Sequence, residues 1–498
     1  MAVLIPATSA VAAIDEVNTK RLRDAVTVNS ILKHERVFQR IANNNGGTRA
    51  SGTPGFDASA AYVTDQLTRA GYDVTQQEFE FPYYEETGPS TLSQVSPNPA
   101  DYESATMEYS GSGEVTGELV PTTNIVIPAT PTPSSTSGCL PTDFVPAPAE
   151  PAVALIQRGG CTFEQKVANA VAAGYDAAVI FNEGNPGRTE LLSGVTLGGP
   201  VDVPVVGISY ADGVALYEAT QAGPVVVSIA TSTVSETRTT VNVLADSKKG
   251  DPNKVVVVGA HLDSVTAGPG INDNGSGSSV ILETAIQMSK LGIKPRQQLR
   301  FAFWGAEENG LLGSTYYVDN LSDDGLSTIY ANLNFDMLGS TNYVRFVYDG
   351  DGSADPEGEA GPPGSAQIES IFTEYFAGQG LASDPTAFDG RSDYGPFIAA
   401  GIPAGGLFSG AEGLKTEEQA AVYGGTAGAP YDPCYHQACD TVNNLSTAAL
   451  FELGDAAAHS IMTLARTRSG FFEDGSRMMR SAEISVEDFE YWGSHLVR

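Results

Sequence analysis

Val255-Val256-Val257-Val258-Gly259-Ala260-His261-Leu262-Asp263-Ser264 is the stretch on which the fold turns. An unbroken β-branched run reads as a strand buried on both faces, the kind that lies inside a parallel sheet. The run leads into histidine and aspartate, so polar groups emerge where the strand leaves the sheet. Reading outward, Asp273-Asn274-Gly275-Ser276-Gly277 is a glycine-rich loop opening a helical segment, Ser278 to Leu291, whose pattern predicts an amphipathic helix. Leu299 to Trp304 is a second buried-type strand, and Ala331 to Phe335 a third. Strands alternating with helices predict an α/β fold, a mostly parallel mixed sheet sandwiched by helices. Its functional residues belong in loops at the carboxyl ends of the strands.

Upstream, Asp24 to Glu80 reads as helix, loop, helix, strand. Val37, Ile41, Ala60, Tyr62, Val63 and Leu67 recur at helical spacing, and Tyr72 to Phe81 alternates as a strand does. Between about Pro82 and Arg238 the composition shifts to short β-like runs and clusters of Pro, Ser, Thr and Gly, which predicts an inserted β-rich domain. The tail from Arg468, with Phe471, Phe472 and Glu487 to Trp492, fits neither pattern.

Among 498 residues, 60 are acidic and 27 basic, for a net charge of -33. That balance argues against nucleic-acid binding, which needs a basic stripe to displace counterions. With 41% hydrophobic and 17% charged residues the chain is too apolar for a disordered acidic protein. No apolar run is long enough for a membrane-spanning helix, so no membrane partner is expected. Met1 to Ala13 resembles the back half of a secretory signal without its basic beginning. Four cysteines fall as two local pairs, which favours disulfides in an oxidising, extracellular setting; four cysteines allow three pairings.

Candidate chemistry gathers at the predicted strand ends. His261 follows the first strand, Glu307 and Glu308 stand beyond Trp304, Asp336 ends the third strand, and His436 lies between Cys434 and Cys439. Adjacent carboxylates repel unless a cation sits nearby, and a set of imidazoles and carboxylates suits zinc. Asp273 bridging two ions, with His261, Glu308, Asp336 and His436 around them, leaves the ions with excess positive charge that acidifies water. Glu307 is then a spare carboxylate, free to act as general base. The ordinary reading of the Asp273 loop is an Asx turn with a helix cap.

The motifs HLDS (261–264), NDNGSG (272–277), WGAEENGLLGS (304–314), NFDMLGS (334–340), FDGRSDYGPF (388–397), GLFSGAEGLKT (406–416) and CYHQACDT (434–441) resemble the di-zinc aminopeptidases of the aminopeptidase Y and bacterial leucyl aminopeptidase family. The resemblance covers about Asp24 to Phe81 and Thr239 to Thr467. It implies that His261 and Asp336 hold one zinc, Glu308 and His436 the other, and that Asp273 bridges them. It further implies Glu307 as general acid and base, Asp263 as the carboxylate orienting His261, Tyr435 as a hydroxyl for the oxyanion, and Arg391 as lining the substrate site. Read as ordinary structure, Asp263 is an Asx-turn residue, Tyr435 a packing aromatic, and Arg391 the partner of Asp393. The Cys434–Cys439 bridge also matches relatives.

Within the insert, Ala152 to Phe163 (AVALIQRGGCTF), the helix with Lys166, and the run Ala177 to Asn182 resemble a protease-associated domain, stapled by Cys139 and Cys161. Such a domain is expected to shape access to the active site or to stabilise the protein. The organisation expected is 15–85 and 239–467 for the catalytic domain, 86–238 for the inserted domain and 468–498 for a tail. The expected activity is zinc-dependent removal of N-terminal residues, large apolar ones such as Leu favoured, from peptides and proteins with a free N-terminus. Two zinc ions per chain are implied, with calcium as a further ion whose ligands are not placed. A carboxypeptidase, a glutaminyl cyclase or a non-catalytic binding protein are the rivals on this fold; the last predicts lost ligands, and none is lost.

Overall fold

The 255–258 run lies at the heart of a strand, Asp251–His261, flanked in parallel by Gln297–Trp304 on one side and Ile329–Asp336 on the other. This computed structural model describes residues 17–148, 151–354 and 360–468; Met1 to Ala13, and the tail beyond Arg468 with Phe471, Phe472 and Glu487 to Trp492, lie outside them. Ala404–Phe408 runs parallel to Ile329–Asp336, and Phe346–Tyr348 closes that side, antiparallel to Ala404–Phe408 and parallel to Asp384–Thr386. On the other side residues 243–246 pair antiparallel with Gln297–Trp304. The result is the mostly parallel mixed sheet expected from the pattern. Val255 to Val258 are at most 3% exposed, which is why no polar residue interrupts them.

Helices cover the sheet, and one departs from expectation. The helix Gly277–Lys290 is not amphipathic in its surroundings, because every residue from Gly277 to Ile286 is buried. Val28–Asn44, Pro54–Ala70 and Thr447–Arg466 all pack against it. Several of its polar residues find partners there: Ser278 Oγ donates to His261 O at 2.7 Å, and Thr284 Oγ1 to Val280 O at 2.8 Å. Glu283 pairs with His34 Nε2 at 3.0 Å, whose Nδ1 meets the Tyr62 hydroxyl at 2.7 Å. The helix starts against the Asp336 strand, where a Cβ on Gly277 would stand 2.2 Å from Phe335 O and 2.4 Å from Asn274 Oδ1. Only glycine fits there, and Asn274 Oδ1 caps the helix by accepting from Gly277 N at 2.9 Å.

Among the described residues the chain forms two compact units, residues up to Phe79 together with those from Thr239, and Glu80–Arg238. The second unit has its own parallel ladder of Gly113–Pro121, Ala152–Gln157, Ala177–Phe181 and Val205–Ile208. The helix Phe163–Ala172 follows the Cys139–Cys161 disulfide. A further helix, Tyr210–Ala222, escapes sequence reading because only Gly213 and Leu216 on it are buried, too few to give a period.

Of the histidines outside the motifs, His459 on Thr447–Arg466 is enclosed. Its Nδ1 meets Thr19 Oγ1 at 2.8 Å, and its ring stacks on Tyr375 with centroids 4.5 Å apart. Burial and the nearby Arg23 push its pKa down to about 4, against the pull of Asp455. Between about pH 6.5 and pH 4 the unfolded chain therefore binds more protons at this site than the folded one, so folding stability falls as pH drops through that window. Urea unfolding at pH 7 and pH 4.5 is expected to show His459→Gln losing about 2 kcal/mol less than the wild type. Equal losses in both proteins would discard this assignment.

Candidate metal centre

The carboxyl ends of neighbouring strands place the site. His261 closes Asp251–His261 and Asp336 closes Ile329–Asp336. Glu307 and Glu308 follow Gln297–Trp304 through a turn in which Ala306 takes a φ of 53° and its N–H donates to Ser51 Oγ at 2.7 Å. Asp273 comes from the six-residue turn Ile271–Ser276, where the Asp273–Asn274 peptide is cis. His436, at φ 55°, is presented by the loop that the Cys434–Cys439 disulfide closes.

These groups converge. His261 Nε2 lies 3.1 Å from Asp273 Oδ1, 3.3 Å from Asp336 Oδ1 and 3.8 Å from Glu307 Oε2. His436 Nε2 lies 3.2 Å from Asp273 Oδ2 and 3.0 Å from Glu308 Oε2. Asp273 thus gives one carboxylate oxygen to each imidazole. Asp263 stands behind His261, with Oδ1 3.6 Å from Nδ1 and accepting from Glu307 N at 3.3 Å.

Crowding of negative charge dominates the electrostatics. Burial, aided by Asp336, Asp393 and Glu308, raises Glu307 well above the carboxylate range, and burial with Asp273 nearby raises Glu308. Against burial, which favours neutral rings, Glu307 and Asp336 hold His261 well above its ordinary value, and Glu308 and Asp273 push His436 up to about 11. Asp273 is held low despite burial, by its hydrogen bonds to both imidazoles. Excess acceptors in a dry site call for a multivalent cation. At this site two sets have donor atoms within 4.8 Å of one another, His261 with Asp273 and Glu308, and His261 with Glu307 and Asp336. Glu308 Oε1 is buried without a hydrogen-bond partner, as a ligand atom kept for a metal would be. The donor set of imidazole and carboxylate fits zinc.

Sequence reading missed the groups that hold these ligands. Asp440, one residue past Cys439, accepts from Asn272 N at 2.9 Å and from Asp273 N at 3.0 Å. Ser392 Oγ donates to Asp336 Oδ2 at 2.6 Å. Both residues stand inside quoted motifs, and for Asp440 its place four residues after His436 was the available signal. Tyr435 stacks on the His436 ring with centroids 3.8 Å apart, and burial together with Asp273 and Glu308 keeps its hydroxyl protonated by raising it far above the phenol range. Arg391 donates from Nη2 to that hydroxyl at 3.4 Å and pairs through Nη1 with Glu412 Oε1 at 2.8 Å, so its carboxylate partner is Glu412, not Asp393. Asp393 is fully buried instead, and burial raises it to about 8. Asp455, on Thr447–Arg466, accepts from Arg23 Nη1 at 2.7 Å and also from the Tyr375 hydroxyl.

Comparison with known proteins places the chain among peptidases. The model of peptidase family M28 matches residues 242–461, and that of the PA domain matches residues 115–216. A Pseudomonas aeruginosa protein named Aminopeptidase is 47% identical over 435 residues, covering 86% of this chain and 79% of that one. Leucine aminopeptidase 2 of Trichophyton equinum is 42% identical over 426 residues, 85% of this chain and 81% of its own. The solved structure of a zinc aminopeptidase from Bacillus subtilis, at 25% identity, superposes with a TM-score of 0.57 over 89% of this chain and 96% of its own. All the ligand candidates fall inside the matched 242–461, and on that span and those relatives the chain belongs to peptidase family M28, with a PA domain in its second unit.

Proposed function

We propose that this M28 peptidase is a di-zinc aminopeptidase that removes N-terminal residues, large apolar ones such as Leu favoured, from peptides and proteins. The observation that carries the reading is Asp273, set between two imidazoles with an oxygen 3.1 Å from one and 3.2 Å from the other, as a ligand shared by two ions would be. His261 and Asp336 would hold one zinc, and Glu308 and His436 the other. When bound, the ions supply Lewis-acid polarisation and lower the pKa of water.

The chain's own residues do the rest. Glu307 takes the proton from the attacking water and returns it to the leaving amine of the second residue, the likeness to relatives named aminopeptidase putting the cut after the N-terminal residue. Asp263 orients the His261 ring through Nδ1. Tyr435, a protonated hydroxyl, donates to the oxyanion, and Arg391 beside it lines the substrate site. The carboxylates around the site receive the free α-amine. Two disulfides support an extracellular location. Among the described residues no helix is long and apolar enough to cross a membrane.

Leu-p-nitroanilide is expected to be hydrolysed, its N-acetylated form not, and a chelator is expected to abolish the reaction until zinc is restored. Cleavage of the blocked substrate, or indifference to the chelator, would sink the proposal.

A further inference from the structure

Arg49 lies outside every motif assigned to the site, yet it is fully buried against the loops that carry two of the ligands. Its guanidinium spreads over three backbone carbonyls. Nε donates to Pro269 O at 2.8 Å, Nη1 to Leu262 O and Nη2 to Gly270 O. Leu262 sits between His261 and Asp263, while Pro269 and Gly270 precede Asp273. The backbone of Arg49 adds a bond from its N–H to Ser264 Oγ at 3.0 Å, and Thr48 Oγ1 donates to Val265 O at 2.9 Å.

Within the loop from 262 to 270, Ser264 Oγ donates to Gly268 O at 3.0 Å. At its ends Leu262 N donates to Trp304 O at 2.8 Å and Gly275 N to Gly270 O at 3.0 Å. Among these bonds the Arg49 side chain alone ties the Leu262 end to the Pro269–Gly270 end. The loop contains Gly268, Pro269 and Gly270, and proline brings no N–H of its own. Beneath it lies Glu35 on Val28–Asn44, whose carboxyl burial raises well above the carboxylate range, and its Oε2 stands 2.8 Å from where a Cβ on Gly275 would lie. The Phe38 ring lies under the guanidinium at 4.9 Å. Planar, rigid and held on both sides, the guanidinium has one orientation available, and that orientation satisfies both ends of the loop at once.

We propose that Arg49 is a positioning residue: by bridging the Leu262 carbonyl to those of Pro269 and Gly270, it sets the spacing between His261 and Asp273. The inference rests on the reading of those two residues as metal ligands. Lysine cannot reproduce the role, because a point charge on a flexible stem reaches one carbonyl where the fork reaches three.

The test compares wild type, Arg49→Lys and Arg49→Gln as full chains. Zinc affinity is measured by competition with a chelator, the visible spectrum is recorded after Co²⁺ loading, and kcat and KM are measured on Leu-p-nitroanilide. Both variants are expected to bind zinc about 10- to 100-fold more weakly, the range that groups behind a ligand command. Their Co²⁺ spectra should be altered and kcat lowered, with KM nearly unchanged. Thermal unfolding of the metal-free proteins separates out simple destabilisation, which would lower the melting temperature and leave affinity and spectrum alone. That outcome overturns the proposal. Should Arg49→Gln fail to fold, Arg49→Lys, which keeps the positive charge, decides by the same readouts. A wild type that binds no zinc would instead overturn the reading of the centre itself.

Discussion

Glu307→Gln is expected to lower kcat by about 100-fold or more, the span a general base commands, while both zinc ions stay bound. The amide has the shape of the carboxylate and cannot take a proton. Glu307 Oε2 stands 3.8 Å from His261 Nε2, farther out than Asp273 at 3.1 Å and Asp336 at 3.3 Å, so ligation should tolerate the change. KM should move little, because the group acts on the water more than on the bound peptide. Metal content by atomic absorption alongside steady-state kinetics checks the result. Full activity would take Glu307 out of the reaction, and loss of a zinc ion would make it a ligand.

Asp273→Asn is expected to do something different, leaving at most one zinc bound with useful affinity and no measurable turnover. The wild-type carboxylate offers an oxygen to each imidazole's side of the site, at 3.1 Å and 3.2 Å. An amide keeps one oxygen and turns an NH₂ toward the other side, where no lone pair remains to bind metal. Partners behind a ligand cost 10- to 100-fold in affinity, and a shared ligand should exceed about 100-fold at one of the two positions. Zinc titration followed by calorimetry would show it. Two tight zinc ions in this variant would end the bridging assignment.

Much of this was readable because parallel strands announce themselves. Val255 to Val258 had no alternative to a buried strand, and with its register set, His261, the Glu307–Glu308 pair and Asp336 fell at strand ends where α/β folds keep their chemistry. Asp440, Ser392 and Arg49 were harder, because they act through partners distant in the chain, such as Arg49 on the Leu262 carbonyl. No local pattern encodes a hydrogen bond across 56 residues, still less across 167 or 213. The helix Gly277–Lys290 misled for a related reason: its serines and threonine look solvent-facing until neighbouring helices are seen to enclose them. The ordinary reading of Arg391 paired it with Asp393 two residues on, whereas its guanidinium pairs with Glu412.

The short loop closed by Cys434–Cys439 holds more than a histidine. His436 sits within it, and Asp440 just after it grips the Asn272 and Asp273 amides. One sulfur–sulfur bond thereby secures two of the proposed ligands, which belong to different segments, whereas the strands supplying His261 and Asp336 need no sulfur at all. Reduction of that bond would leave the sheet standing and unfasten half of the site. The protein would then be assembled in two stages, a scaffold that forms anywhere and an active centre finished only where thiols are oxidised.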